Sequence, residues 1–398
     1  MFLNVLLRRN PRLVEAAIAL HQQGRVPANC YVFDLDAVRA NASILAAEAA
    51  RHGLKIFAMT KQMGRNGSFC RALKAGGLGS AVVVDMQCAR ACRNAGLAIG
   101  HIGHLVQIPR AEVAAAAGMT PDYWTVFNIE KAAEAASATE RLGRRQSLLA
   151  RIQAPGDIFY RGHEGGFDAA DVADVADEID RLPGGRFAGV TTFPALLFDQ
   201  ASRNVQPTAN LRTLETAAES LARAGRRGLE VNAPGTNSSV LFAALASAGA
   251  TQVEPGHGLT GTTPLHAVEN LPELPAVAYV SEISHFHSGR AYCFGGGLYI
   301  DPIFPDYQVK AVVSRTPEIR TVALMSVEIP PPAAIDYYGM IDLASRVGSP
   351  RIGDTVVFGF RPQIFVTRAY TVGIAGLAAG TPTVEAIHDA FGRVTEWP

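Results

Sequence analysis

Apolar positions in the first 23 residues recur at helical spacing, at Leu3, Leu6, Leu7, Leu13, Ala16, Ala17 and Leu20. Gly24 and Pro27 end that pattern, which predicts one helix over 1–23. A short apolar run over 30–35 (CYVFDL) reads as a strand, and 36–52 as a helix with an alanine-rich face. From there short β-branched or apolar runs alternate with helical stretches, the spacing of βα units around a parallel sheet. The predicted strands are 55–60, 80–84, 102–106, 124–127, 148–152, 187–192, 229–232 and 252–254. Helices are expected between them, over 86–95, 129–142, 169–181, 211–224 and 239–248. Eight such units favour a closed barrel over an open doubly wound sheet.

After about Pro264 the rhythm changes. Alternating runs at 276–281, 291–294, 310–313, 321–326, 354–358 and 363–367 are punctuated by Gly and Pro, without long helices between them. That pattern predicts an antiparallel β domain. The α/β chain therefore divides into an N-terminal helix (1–29), a (β/α)8 barrel (30–264) and a C-terminal antiparallel β domain (265–398). No low-complexity segment or short-period repeat interrupts it.

Charge and cysteine content narrow the function classes. Lys plus Arg equal Asp plus Glu at 36 each, so no net field attracts nucleic acid or an acidic membrane, and small molecules are the expected partners. Five scattered cysteines suit a reducing compartment better than a disulfide framework. Cys88 and Cys92 sit one helical turn apart without a second Cys/His pair at zinc spacing, so they read as helix packing. Arg8, Arg9, Pro11 and Glu15 break any signal-peptide core, and no apolar run is long enough to span a bilayer. The expectation is a cytoplasmic protein.

In a barrel of this type chemistry gathers at the C-terminal ends of the strands. Three strand ends carry candidate groups. Lys61, in FAMTKQMGRNG, directly follows an apolar strand, where a desolvated amine can form a Schiff base with an aldehyde; a solvated surface lysine is the plainer reading. In LEVNAPGTNSSVLFAAL the strand ends at Asn232, and Thr236, Asn237 and Ser238 suit a phosphate or, equally, an ordinary helix cap. In TQVEPGHGLTG, Glu254 ends the eighth strand, where a buried carboxylate needs a positive partner such as a protonated pyridine nitrogen; a surface turn is the alternative.

Taken together, these segments resemble the fold-type III pyridoxal 5′-phosphate (PLP) enzymes, the group of alanine racemase and ornithine decarboxylase. The resemblance runs from YVFDLDAVRAN through Lys61 and Glu254-Pro255-Gly256 to GDTVVF and RAYTV. MTKQMGRN, GHLVQIP, EPGHGLTGT, SEISH, IDYYG and QIFVTR are similar to its YhfX-type, alanine-racemase-like branch. The resemblance implies PLP as cofactor, with Lys61 as its Schiff-base lysine. It makes 233–239, with Gly235, Thr236, Asn237 and Ser238, the phosphate loop, and sets Glu254 opposite the pyridine nitrogen. Gly256 and His257 then line the phosphate side, Arg161 lies near the cofactor hydroxyl and substrate carboxylate, and Tyr370 bonds the phosphate. Tyr337 and Tyr338 fall where decarboxylases keep a cysteine that reaches the partner subunit's site.

Two departures bear on the chemistry. Thr192 or Phe193 stands where many relatives keep a histidine near the cofactor, and Gly296 stands where diamine-forming decarboxylases use an acidic group. No metal is expected: RPQIFVT lacks the His/Cys cluster of the metal-dependent aldolases, and His285 and His287 read as a polar strand face. A carboxylate opposite the ring nitrogen is compatible with racemisation, decarboxylation or aldol cleavage. The resemblance favours an amino-acid racemase (an isomerase) with Lys61 as one base and Tyr337 or Tyr338 as the other. A decarboxylase or lyase is the alternative, and a non-catalytic PLP carrier is disfavoured by the long C-terminal domain. A homodimer with shared sites is implied.

Overall fold

The computed structural model describes residues 1–344 and 350–397. They form two units. One comprises Ala42–Thr60 and Leu73–Leu259; the other Met1–Asn41, Lys61–Ala72 and Thr260–Pro398.

The first unit is the barrel. Its parallel strands run, neighbour to neighbour, through Lys55–Ile56, Gln252–Val253, Glu230–Asn232, Gly185–Thr191, Gln146–Gln153, Tyr123–Val126, Ala98–Ile102, Ser80–Val83 and Ala58–Met59. The two ends of this path are halves of one stretch of chain split at Phe57. Val253 pairs with Ile56 on one side and Met59 with Val82 on the other, which closes the ring. The alanine-rich helix faces lie on its outside at close range: Ala132, Ala135 and Ala136 are all buried on helix Ile129–Glu140. Asn128 caps that helix by accepting from Lys131 N (2.9 Å), and Asp85 caps Met86–Asn94 by accepting from Cys88 N (2.7 Å). Cys88 and Cys92 are buried on the latter helix.

One barrel strand differs from expectation. Instead of 102–106, the third strand is Ala98–Ile102. Gly103 ends it: φ is +77°, and a Cβ there would lie 2.6 Å from Thr125 O, so only glycine fits. Val106 is consequently an exposed loop residue.

The second unit is built on a nine-stranded sheet. Its order is Arg290–Phe294, Tyr338–Asp342, Met325–Glu328, Lys310–Ser314, Thr355–Phe358, Val277–His287, Cys30–Asp34, Tyr370–Ala375 and Thr383–His388. Cys30–Asp34, expected at the start of the barrel segment, is an interior strand here. It runs antiparallel to Val277–His287 and parallel to Tyr370–Ala375. Leu13, Val14, Ala17 and Ile18 share its core with Cys30, Val32, Val280 and Val372, while Tyr31 packs on Tyr279 at 5.0 Å. The single N-terminal helix becomes two, Phe2–Arg9 and Pro11–Gln22. Pro11 lacks the N–H that would continue the first, and Asn10 turns aside to donate to Asp34 Oδ2 (2.8 Å) and Pro275 O (2.9 Å). The strand expected over 363–367 is a 3-10 turn, Ile364–Val366, closed by Thr367 N and Oγ1 bonding to Ile364 O; Ile364 is buried, Phe365 half-buried and Val366 exposed. Among the described residues no helix is long and apolar enough to cross a membrane.

Candidate active site

Glu254 follows the last barrel strand and is 4% exposed. Its Oε1 meets His101 Nδ1 at 2.5 Å and accepts from Asn232 Nδ2 at 3.0 Å. Its Oε2 lies 3.5 Å from His104 Nε2. The backbone N–H of Glu254 donates to Asn237 Oδ1 (3.1 Å), which ties this strand end to the 233–239 turn. His101 is itself fully buried on Ala98–Ile102, with Nε2 2.6 Å from Thr125 Oγ1 on the neighbouring strand. Burial alone pushes the Glu254 carboxyl up. The electrostatic influence of His104 and His101, with hydrogen bonds from His101 and Asn232, outweighs it and holds the carboxyl below its ordinary range. A buried carboxylate results.

The 233–239 turn carries the second cluster. Gly235 runs alongside Leu196, where a Cβ would lie 2.6 Å from Leu196 O, and Thr236 N donates to that carbonyl (3.0 Å). Gly258 leaves similar room: a Cβ would meet Asn237 O at 2.7 Å. Ser238 occupies the cap position of Ser239–Leu241 but makes no capping bond. Its hydroxyl and Asn237 Nδ2 are buried without a hydrogen-bond partner. Two orphaned donors in a glycine-lined turn fit an anionic group such as phosphate better than a simple cap.

Arg161 was the expected arginine, yet it is exposed in the loop after Gln146–Gln153. Arg151, inside that strand, is buried and 1% exposed. It donates to His163 O (2.7 Å), Gly165 O (3.1 Å) and Phe193 O (3.5 Å), with its guanidinium 4.8 Å from the Phe127 ring centroid. Thr192 is fully buried and accepts from Asn210 Nδ2 (3.3 Å). Phe193 packs edge-on to His104 at 5.9 Å. Gly256 is buried, and His257 opens the turn His257–Thr260 half-buried.

The remaining candidates belong to the other unit. Lys61 begins the 3-10 turn Lys61–Met63, half-buried, with Nζ 5.8 Å from the Phe365 ring centroid. Gly64 makes that turn possible, since a Cβ would sit 2.7 Å from Ile364 Cγ2. Tyr337 and Tyr338 have different surroundings. Tyr337 is 61% exposed beside Arg368, whereas Tyr338 is half-buried, edge-on to His285 at 5.1 Å. Tyr370 lies 5.9 Å from Trp397. His285 stacks on Tyr292 at 4.5 Å and His287 is exposed.

Sequence reasoning missed His101, His104, Thr125 and Arg151. An arginine within the apolar run SLLARIQ was the available signal for Arg151. For the histidines it was GHIGH, obscured by the third strand's being placed four residues too late.

Residues 33–264, more than half of the chain, match the family model described as alanine racemase, N-terminal domain. The chain belongs to that family. Residues 278–384 of this alanine racemase-family protein match the YhfX-like C-terminal domain. The chain is 39% identical over 393 residues to "Uncharacterized protein YhfX" of Escherichia coli (strain K12), covering 99% of each. It is thus a member of the fold-type III PLP superfamily in its YhfX-type branch. Solved structures share the fold. D-threonine aldolase from Filomicrobium marinum matches with a TM-score of 0.68 at 17% identity, over 93% of this chain and 96% of that one. D-threo-3-hydroxyaspartate dehydratase from Delftia sp. HT23 gives 0.65 at 16%, over 91% and 97%. Alanine racemase of Clostridium difficile 630 with cycloserine gives 0.61 at 14%, over 92% and 99%. Members of this family typically use PLP, and the orphaned donors of the 233–239 turn suit its phosphate.

Proposed function

We propose that this chain is a PLP-dependent enzyme acting on an amino-acid substrate, and that its reaction is racemisation. The observation that carries the cofactor reading is the pair of buried donors without partners, Asn237 Nδ2 and Ser238 Oγ. Lys61 would hold the cofactor's aldehyde carbon, Asn237 and Ser238 its phosphate, and Glu254 its ring nitrogen, with Gly235, Thr236, Gly256, His257 and Tyr370 completing the phosphate side. The bound cofactor supplies an electron sink for the bond broken at Cα. Glu254 would balance the positive ring nitrogen with a buried negative charge. Arg151, a buried cation that donates to the carbonyls of His163, Gly165 and Phe193, would supply positive charge for an anionic oxygen of cofactor or substrate. Lys61 would exchange the Cα proton on one face, and Tyr337 or Tyr338 on the other. We further read the enzyme as a cytoplasmic homodimer with sites shared between chains.

Incubating PLP-loaded protein with single L-amino acids in deuterated water tests this. Deuterium at Cα with loss of optical activity supports racemisation. Released CO2 means a decarboxylase, and a cleaved or dehydrated product means a lyase. A protein that holds PLP but catalyses none of these is a carrier, and one that takes up no PLP overturns the reading.

A further inference from the structure

His101, Thr125 and Glu254 form a relay across three separate barrel strands or strand ends. An ionised carboxylate only accepts hydrogen bonds, so the proton of the 2.5 Å contact resides on His101 Nδ1. Thr125 Oγ1 engages the other ring nitrogen at 2.6 Å and fixes the imidazole's orientation. The two oxygens of Glu254 are therefore unequal. Oε1 receives two N–H groups, from His101 and Asn232; Oε2 has no hydrogen-bond partner, and His104 Nε2 stands 3.5 Å away, at the limit of reach.

His101, His104 and Glu254 also have the composition of a metal site, with ligand atoms within 4.8 Å of one another. The contact between His101 and Glu254 Oε1 does not have the spacing of such a site. Two ligands of one tetrahedral zinc lie roughly 3.4 Å apart when each is about 2.1 Å from the ion. His101 Nδ1 and Glu254 Oε1 are 2.5 Å apart and share a proton instead.

We infer that His101 is a positioning residue for the cofactor ring: by donating to Oε1 it orients the Glu254 carboxylate and reserves Oε2 for the protonated ring nitrogen. The inference rests on the proposed PLP function and deepens it. The titratable side chains facing Glu254 among the described residues are His101 and His104; Asn232, Asn237 and Thr125 are neutral.

The test uses protein loaded with PLP carrying 15N in the ring, whose 15N NMR shift reports ring protonation as pH is varied. In His101→Leu the unprotonated fraction at a given pH should rise at least about tenfold, equivalent to about one pH unit. His101→Asn, whose side-chain amide restores a donor, should keep the wild-type profile. Thr125→Val should give an intermediate displacement, and serves in place of His101→Leu if that variant does not fold. A wild-type profile in His101→Leu, or in Thr125→Val where it stands in, overturns the inference while leaving the PLP function intact. A wild-type protein that binds no PLP overturns both. In the wild-type protein the 15N spectrum of labelled histidine should show the Nδ1–H form of His101, altered by Glu254→Gln; an Nε2–H form alone would refute the relay.

Discussion

Replacing Arg151 with Met tests whether a buried cation is held in the barrel by backbone carbonyls. Burial lowers its pKa from the ordinary guanidinium range to about 10, which corresponds to about 3 kcal/mol for keeping the charge there. Against that stand two well-formed bonds, to His163 O at 2.7 Å and Gly165 O at 3.1 Å, at about 1.5–3 kcal/mol each. Phe127 at 4.8 Å and Phe159 at 5.7 Å add about 1–2 kcal/mol apiece. The favourable interactions exceed the burial cost by about 2–7 kcal/mol. Met retains the apolar stem but leaves both carbonyls without their donor, so a loss of about 2–4 kcal/mol is expected. Urea unfolding measures the loss directly, and limited proteolysis should show earlier cutting in residues 154–166, which the guanidinium ties down through His163 and Gly165. Arg151→Lys should fall between, because one ammonium lacks the fork that reaches both carbonyls. An Arg151→Met protein as stable as wild type, with an unchanged proteolysis pattern, would refute the reasoning.

Other consequences are equally open to measurement. Burial holds His21 near pKa 4, below its usual 6.5, so between those values the unfolded chain binds a proton that the folded chain refuses. Stability should therefore fall by up to about 3 kcal/mol as pH drops from about 6.5 to about 4; His21→Gln should flatten that slope in urea titrations. Gly235→Ala drives a methyl to within 2.6 Å of Leu196 O and should cost about 1–3 kcal/mol in thermal unfolding while weakening PLP uptake. Ser238→Ala removes a hydroxyl that bonds nothing, so thermal stability should hold within about 0.5 kcal/mol while PLP affinity, followed by fluorescence, drops several-fold; equal losses in both would restore the helix-cap reading. Lys61→Ala should abolish the visible absorbance of protein-bound PLP, and its survival would move the covalent link to another amine.

Local chemistry carried much of the architecture. Strands of a parallel barrel are buried on both faces, so they appear as continuous apolar runs between helical stretches whatever their partners. A lysine after such a run, and a glutamate before Pro-Gly, are likewise local signals. Pairing is different. Cys30–Asp34 is buried throughout, and nothing within five residues says that Val277–His287 and Tyr370–Ala375 will flank it rather than barrel strands. His101 and Glu254 are 153 positions apart, and their contact exists because closing the ring sets the strands' register, with Gly103 ending one strand two residues past His101. Arg151 and Arg161 are chemically identical; the fold buries one within a strand and leaves the other in solvent. Short-range periodicity reports how a segment is solvated, and that is written in its own residues. Which side chains meet depends on long-range register, a property of all the strands together.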